Sequence, residues 1–238
     1  MVDIHCHILP GIDDGAASWE IAVAMCRMAT DDGIEHIVAT PHANGRFAYD
    51  RAKFALLLTE LESRVSGRPS LSLGCDFHLS YENFLAVIES PSRFTIADTK
   101  YLLLELDDYS IPASVSGNLQ KLFSRGLVPI ITHPERNPIL QGDPQRVLEW
   151  VQQGCLVQLT ANSFTERWGG RAKATAEYLL NRGAVHVVAS DAHGIRSRPP
   201  LLSQARVAIE ALAGRSRAEA LLSENPRAIM RGTEIPAR

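Results

Sequence analysis

Seven short strand-like runs that alternate with helical stretches are the feature that most restricts the fold of this 238-residue chain. The runs span residues 2–4, 34–40, 70–73, 100–106, 128–132, 156–160 and 185–189. Strands separated by helices favour βα units and a parallel sheet. The chain is long enough for one α/β barrel or two smaller domains, and no linker or low-complexity segment divides it. We therefore predict a single α/β domain over residues 1–238.

Start and stop signals delimit the predicted helices. Ser18 is suited to cap a helix that runs to Asp32, with Gly33 just past its end. Asp143-Pro144 opens another helix that ends at Gln153. Further helices are predicted over residues 50–65, 81–89, 115–125, 169–182 and 201–212, with shorter pieces at 218–222 and 226–231.

Charge and hydropathy exclude two classes of partner. A formal net charge of -3, with Lys and Arg residues scattered along the chain, provides no basic field for nucleic acid. The longest apolar runs, such as residues 185–189, are far shorter than a membrane span, and the N-terminus lacks the pattern of a signal peptide. We expect a cytoplasmic protein that is not inserted in a membrane, and oligomerisation is left open.

The four cysteines do not form a recognisable site. None belongs to a C-x-x-C pair, so reduced thiols are expected. Cysteine-dependent tyrosine phosphatases place an arginine six positions after the nucleophile. Here those positions hold Ile12, Asp32, Tyr81 and Ala161. Metal chemistry is therefore favoured over a thiolate mechanism.

Metal-binding residue types gather at the ends of the strand-like runs. His5 and His7 lie two residues apart, so in a strand they face the same side, and Asp13-Asp14 follows in a loop that can fold a carboxylate back toward them. The residues at or just past the run ends are His5, His7, His42, Asp76, Glu105, His133, Asp191 and His193. Barrel folds place their sites at this edge of the sheet.

These imidazoles and carboxylates are more donors than one ion can use. The set suits Mn, Fe or Zn and implies two or three ions. Such clusters bind both oxygens of a phosphoryl group and generate a metal-bound hydroxide, which predicts phosphoester hydrolysis. His36 and His186 lie inside strand-like runs and are interpreted as packing residues, whereas His78 is left open.

The motifs DIHCHILPGIDDGA, ATPH, HPERN and SDAH, in this order over nearly the whole chain, resemble the polymerase-and-histidinol-phosphatase (PHP) superfamily. More narrowly, the chain resembles the bacterial manganese-dependent protein tyrosine phosphatases of capsule and exopolysaccharide operons. The resemblance implies a distorted, TIM-like (β/α)7 barrel that holds three metal ions, manganese first among them. It also implies hydrolysis of phosphotyrosine on a partner bacterial tyrosine kinase.

The resemblance also implies a role for individual residues. One ion would be held by His5, His7, Glu105 and Asp191, a second by Asp76, Glu105 and His133, and a third by Asp14, His42 and His193. Arg136 and Arg198 would grip the phosphate, for which the guanidinium fork is suited. The family usually carries glutamate at the third strand end, where this chain has the shorter Asp76, so either Asp76 or His78 completes the second site.

Three other readings compete with this one. The runner-up is a small-molecule phosphatase of the histidinol-phosphatase type, from the same superfamily. Amidohydrolase barrels also begin with H-x-H, but they require a lysine on the fourth strand and a histidine after the sixth, where this chain has Glu105 and Asn162. A metal-stabilised binding protein without catalysis would show lost ligands, and only Asp76 hints at that.

Overall fold

The computed structural model describes residues 1–235, so the last three residues of the predicted domain lie outside the described residues. Nine strands are found there, and every strand pair runs parallel. They are β1 Val2–Cys6, β2 His36–Ala39, β3 His42–Ala43, β4 Ser70–Leu73, β5 Asp76–His78, β6 Tyr101–Glu105, β7 Val128–Thr132, β8 Leu156–Thr160 and β9 Val187–Ala189. The predicted α/β class with parallel sheets is confirmed.

The strands form a three-stranded sheet, β1-β2-β4, and a six-stranded sheet, β3-β5-β6-β7-β8-β9. The short strands β3 and β5 were not predicted. Each follows a break, at Thr40-Pro41 and at Gly74-Cys75, where the chain passes from the first sheet to the second. Pro41 has no N–H to donate to a ladder, which accounts for the first break. The Pro41 carbonyl still accepts from the Asp76 N–H at 3.1 Å.

The first and last strands lie side by side at their carboxyl ends. The Asp191 N–H donates to the His5 carbonyl at 2.8 Å, and the His7 N–H donates to the Ala192 carbonyl at 2.9 Å. These two hydrogen bonds bring the loop after β9 against the end of β1. Side chains from both ends of the chain therefore meet at one edge of the sheets.

Most predicted helices are present, with bounds that match or shift by one or two residues. They are α1 Trp19–Asp31, α2 Arg51–Arg64, α3 Tyr81–Glu89, α4 Ser114–Ser124, α5 Pro138–Gly142, α6 Gln145–Gln152, α7 Gly169–Asn181, α8 Ser203–Ala213, α9 Arg215–Glu219 and α10 Asn225–Met230. The Ser18 hydroxyl caps α1 by accepting from the Ile21 N–H. Helix α5 and a 3-10 segment, Ala161–Thr165, were not predicted, and a π-helical turn, Ala220–Glu224, joins α9 to α10. The short piece predicted over 218–222 is wrong, because α9 ends at Glu219 and the π-helical turn follows it.

Two apolar clusters pack against the sheets. Leu102 and Leu104 belong to the larger cluster, while Leu103 between them belongs to the smaller one, as the alternation of side chains along a strand requires. Ile229 of α10 joins the smaller cluster, so this tail helix packs into a core. In residues 1–235 we find no helix with the length and apolarity needed to cross a bilayer.

Candidate active site

A shift in register occurs where His5, in β1, and His7, just past its end, are directed toward the site. The pairing of β1 with β2 is irregular between Asp3 and Cys6. As a result Ile4 packs in the smaller apolar cluster and Cys6 in the larger one, although they are two residues apart. Such bulges re-aim side chains next to active sites. His5 and His7 are both buried, and their ring centroids lie 5.4 Å apart.

Hydrogen bonds fix the orientation of both imidazoles. His5 Nδ1 lies 2.9 Å from Gln158 Oε1, and His7 Nδ1 lies 2.9 Å from Asp13 Oδ2. Because those oxygens only accept, both protons of the neutral rings are assigned to Nδ1. With both rings neutral, as metal ligands require, the two Nε2 atoms would be lone pairs that face each other 3.3 Å apart. Two facing lone pairs repel unless a cation lies near both, which is how metal-binding histidines are held.

Buried carboxylates complete the inner part of the site. Asp76 Oδ2 lies 3.1 Å from His42 Nδ1 and 3.5 Å from His5 Nε2. Asp191 Oδ1 lies 3.4 Å from His5 Nε2. Both aspartates are almost completely buried. Buried carboxylates are costly without a compensating positive charge. Asp191 also contacts two arginines, whereas the ion-pair contacts of Asp76 are with imidazoles, so Asp76 in particular calls for a cation.

Two further groups extend the site toward solvent. Asp14 Oδ1 lies 3.3 Å from His42 Nε2 and 3.5 Å from His193 Nε2, and the Asp14 side chain is half exposed. Glu105 Oε1 lies 3.6 Å from His133 Nε2, and its other oxygen lies 3.6 Å from His78 Nδ1. The site therefore grades from a buried floor to an accessible rim.

Seven of the nine predicted metal ligands fall into three overlapping groups that could hold ions, and His133 and Asp191 belong to none of these groups. The groups are His7, Asp14, His42 and His193; His5, His7 and Asp76; and His42, Asp76 and Glu105, with the ligand atoms of each within 4.8 Å of one another. The first group contains Asp14, His42 and His193, the three residues that the family resemblance assigns to the third ion. Asp76 joins two groups and His78 joins none, so the contacts favour Asp76 as the inner ligand. The division of ligands among individual ions stays a prediction.

Unsatisfied polar atoms support the fit to cations. Among the described residues, both carboxylate oxygens of Asp76 and the Nδ1 atom of His42 are buried without a well-formed hydrogen bond. A buried group without a partner is costly, and a divalent ion bound by these oxygens and imidazole nitrogens would satisfy it. The donor set is therefore one that fits Mn, Fe or Zn.

The pKa values follow from this concentration of charge. Burial alone would lower the pKa of His5, but the carboxylates of Asp76 and Asp191 outweigh it and raise that pKa to about 9. Burial would raise the pKa of Asp76, whereas the charges of His5 and His42 hold it well below its usual range. Burial, reinforced by Arg136, lowers the pKa of His133 well below its ordinary value. Without metal, the carboxylates of Asp76 and Asp191 therefore favour the protonated form of His5. That proton supplies positive charge which bound metal ions would otherwise supply.

Left-handed backbone places two of the side chains. His133, just past β7, has φ of 33°, and Asp191, just past β9, has φ of 51°. Such φ values are uncommon for residues other than glycine and cost of order 1–3 kcal/mol each, and they cluster at functional sites. The His133 N–H donates to the Gln158 carbonyl at 2.8 Å, so a hydrogen bond maintains its strained turn.

Two arginines stand over the buried acids. Arg136 and Arg198 both donate from their guanidinium groups to Asp191 Oδ2. A cavity of about 180 Å³ lies among these residues. It is lined by Asp14, His42, Asp76, Glu105, His133, Arg136, Asp191, His193 and Arg198. The structure therefore brings both predicted arginines and the predicted ligands to one place, with His5 and His7 packed beneath.

Two histidines have the structural roles that the sequence predicted, and one residue of the site was not predicted. His36 bonds with the hydroxyls of Ser70 and Ser72, and His186 Nδ1 accepts from the Val157 N–H, so both serve the fold. Gln158 was missed, because nothing in the sequence distinguishes a polar residue that faces the site from one that faces solvent. Gln158 lies in the middle of β8 and is completely buried.

The cysteines are unsuited to nucleophilic chemistry. All four are free and buried. Burial raises the pKa of Cys26 and Cys155 to about 12, and raises those of Cys6 and Cys75 well above the ordinary value. Since the thiolate is the reactive form, these thiols would be inert at neutral pH.

A family described as capsular polysaccharide synthesis, CpsB/CapC, matches residues 1–231. The tyrosine-protein phosphatase YwqE of Bacillus subtilis is 30% identical over 99% of this chain and 93% of its own. The tyrosine-protein phosphatase CpsB of Streptococcus pneumoniae is 31% identical over 97% of this chain and 98% of its own.

A solved structure from a study of YwqE and CpsB, described as unique metal-dependent tyrosine phosphatases, superimposes on the chain with a TM-score of 0.92. The identity is 31%, and the match covers 100% of this chain and 97% of that one. The likeness therefore extends over the whole fold.

Proposed function

The chain belongs to the CpsB/CapC family of capsular polysaccharide synthesis, and on that premise we propose that it is a metal-dependent protein-tyrosine phosphatase. The family resemblance predicted from the motifs is thereby confirmed. The observation that carries the proposed activity is the convergence of two arginines on a cluster of imidazoles and carboxylates around one cavity. Arginine forks recognise phosphate, and the cluster fits the divalent ions that phosphoester hydrolysis uses.

The proposal includes three ions, with manganese as the first candidate and iron or zinc as alternatives. Bound there, divalent ions would supply Lewis acidity that polarises the phosphoryl group and lowers the pKa of the attacking water. The ligand sets remain those implied by the family pattern. They are His5, His7, Glu105 and Asp191; Asp76, Glu105 and His133; and Asp14, His42 and His193.

The chain's own residues prepare the site for a phosphoryl group. Arg136 and Arg198 supply N–H forks that bind and orient phosphate oxygens. Gln158 and Asp13 accept the Nδ1 protons of His5 and His7, so both Nε2 atoms stay directed into the site. Phe47 stacks on the His42 ring with centroids 5.9 Å apart and provides an apolar wall beside this ligand.

The size of the cavity favours a protein side chain over a small metabolite. Its volume of about 180 Å³ is below the 300–1,000 Å³ of ordinary small-molecule sites. It can enclose a phosphoryl group while the rest of the substrate stays outside. That arrangement suits a phosphotyrosine presented by a larger partner.

We assign the substrate to a bacterial tyrosine kinase that controls capsule or exopolysaccharide synthesis. The family description and the names of the two relatives support this partner. We also propose that the two sheets act as one distorted (β/α)7 barrel over residues 1–238, supported by the hydrogen bonds between β1 and the loop after β9. The cytoplasm is the proposed compartment, since all four cysteines are unpaired thiols.

A substrate panel tests the function. With purified, metal-analysed protein, kcat/KM is measured for a phosphotyrosine peptide, the matching phosphoserine peptide and histidinol phosphate. We expect the phosphotyrosine peptide to be preferred by at least about 10-fold. Arg136→Ala and Arg198→Ala should each lower its kcat/KM by about 10- to 1000-fold without changing metal content.

Two results would overturn the proposal. A preference for histidinol phosphate would establish the small-molecule alternative. Fully metallated protein that hydrolyses none of the three compounds would establish a binding protein without catalysis.

A further inference from the structure

Trp168 packs against both phosphate-binding arginines. The Cζ atom of Arg136 lies 3.9 Å from the centroid of the Trp168 ring, and that of Arg198 lies 5.4 Å from it. Both distances are within the roughly 6 Å over which a guanidinium is attracted to an aromatic face. The three residues come from three different loops, so this contact is made only in the folded protein.

The segment that carries Trp168 also anchors the loop that carries Arg136. Glu135 is completely buried, and its Oε1 atom accepts from the Thr160 N–H at 2.8 Å and from the Ser163 hydroxyl at 2.7 Å. Thr160 ends β8, and Ser163 lies in the 3-10 segment that leads to Trp168. The backbone of the HPERN loop is thus tied to this segment next to its arginine.

The same segment anchors the loop of the second arginine. Arg167 donates from Nη2 to the Arg196 carbonyl at 3.0 Å, two residues before Arg198. One stretch of chain, residues 160–168, therefore contacts both arginine loops through hydrogen bonds and both guanidinium groups through one indole ring. This is the arrangement expected of a support for the pair.

Hydrogen bonds restrain only one end of each guanidinium group, so contact with the Trp168 ring is needed to fix its orientation. Within the described residues, the Nε atoms of Arg136 and Arg198 and the Nε1 atom of Trp168 are buried without an acceptor. Each arginine is hydrogen-bonded to Asp191 through a terminal nitrogen only. A single contact at one end allows rotation of the fork, whereas a flat ring against its face fixes the plane.

We propose that Trp168 is a positioning residue that sets the planes of both arginine forks for the phosphate of the substrate. The inference rests on the proposed function, which gives Arg136 and Arg198 that phosphate. Preorganised donors bind a developing charge without paying for reorientation at the moment of reaction. Loss of the ring would therefore weaken phosphate binding and slow turnover, while the metal ligands stay in place.

The test compares Trp168→Leu and Trp168→Phe with the parent. Trp168→Leu should lower kcat/KM on a phosphotyrosine peptide by about 10- to 100-fold, and Trp168→Phe, which keeps an aromatic face, should recover most of it. The Kd of the metallated protein for inorganic phosphate, measured calorimetrically, should rise in Trp168→Leu and stay near the parent value in Trp168→Phe. Metal content should be equal in all three proteins.

Trp19→Leu is the matched control. Trp19 stacks under Arg64, with Cζ 4.2 Å from the ring centroid, on the helices α1 and α2. Its replacement removes the same atoms and the same kind of contact away from the arginine pair, so kcat/KM and the phosphate Kd should not change. If Trp168→Leu fails to fold, Trp168→Met replaces it, because methionine fills space without a π face.

A double-mutant comparison separates positioning from direct contact or general stability. In an Arg136→Ala/Arg198→Ala background, Trp168→Leu should have little further effect, since its role acts through the arginines. A full additional loss there would overturn the inference, as would parent-like kcat/KM and phosphate Kd in folded Trp168→Leu. If the parent itself does not hydrolyse phosphotyrosine, the proposed function fails instead.

Discussion

Among single residues, Asp76 is central to the candidate site because it lies close to three of its histidines. It is completely buried, and its Oδ2 atom lies between 3.1 and 4.0 Å from nitrogens of His42, His5 and His7. The family's usual glutamate is one methylene longer. Here the short strand β5 begins at Asp76 and pairs with β3 at His42, so the backbone lies close to the histidines and the shorter side chain contacts them.

Asp76→Asn should weaken metal binding selectively. The change keeps the shape of the side chain but removes the charge, and perturbed metal shells typically lose about 10- to 100-fold in affinity. A calorimetric metal titration should show at least one site weakened by that factor. The exposed Asp31→Asn is the control and should bind metal as the parent does. Identical site numbers and affinities in Asp76→Asn would remove this residue from the ligand list.

Gly15→Ala should disturb the neighbouring histidine. A Cβ atom at Gly15 would lie 2.1 Å from the His7 carbonyl oxygen and 2.5 Å from the His7 Cβ, so the backbone must move. We expect loss of metal content and a lower melting temperature, because His7 belongs to two of the ligand groups. Gly117→Ala in α4, where nothing lies within 4 Å, should keep both properties. Parent-like metal content in Gly15→Ala would contradict the packing described.

At the scale of elements, His186 couples the start of β9 to β8. Its Nδ1 atom accepts from the Val157 backbone N–H at 3.1 Å, and the His186 backbone N–H donates to the Val157 carbonyl at 2.9 Å. Asn225, in α10, donates to the His186 carbonyl at 2.7 Å. A neutral imidazole is required for the first bond, since a protonated ring has no lone pair to offer.

Because of this contact, the free energy of unfolding should decrease as the pH is lowered. Burial, with Arg217 adding to it, lowers the pKa of His186 to about 4, against 6.5 for the unfolded chain. The stabilisation is complete above pH 6.5 and is lost as pH falls toward 4, because only the unfolded state binds the proton in that window; the full effect is about 3 kcal/mol. His186→Asn keeps an acceptor but does not titrate. Urea unfolding should give it a shallower loss of stability than the parent between pH 6.5 and 4, and equal slopes would contradict this account.

Strand-like runs that alternate with helical stretches, together with helix-capping residues, were enough to predict most elements. Capping residues such as Ser18 and Gly33 can be read from the sequence because they act on the backbone of their own helix. The strands β3 and β5 were missed because two or three residues give no periodic signal, and their pairing depends on neighbours far along the chain. The candidate metal ligands could be grouped from the sequence because the carboxyl ends of parallel strands meet at one edge of a sheet. Gln158 and Trp168 could not, since their roles depend on which face of a strand or which loop they meet.

At the scale of the whole molecule, the site exists only when both ends of the chain are assembled. Its residues come from β1, from the ends of the strands through β7, and from the loop past β9, between His5 and Arg198. No short segment holds a complete ligand group together with the arginines. We therefore expect metal binding and phosphatase activity to be lost together when the domain unfolds.

Removal of the metal shows whether phosphotyrosine hydrolysis by this protein depends on a divalent ion. The folded protein is stripped with a chelator until elemental analysis finds no divalent metal, and kcat/KM on a phosphotyrosine peptide is measured before stripping, after it and after addition of Mn²⁺. The account predicts a loss of at least about 100-fold on stripping and recovery when Mn²⁺ refills the cluster, because Lewis acidity is worth several kcal/mol in such sites. Metal-free protein that keeps the parent kcat/KM would contradict it.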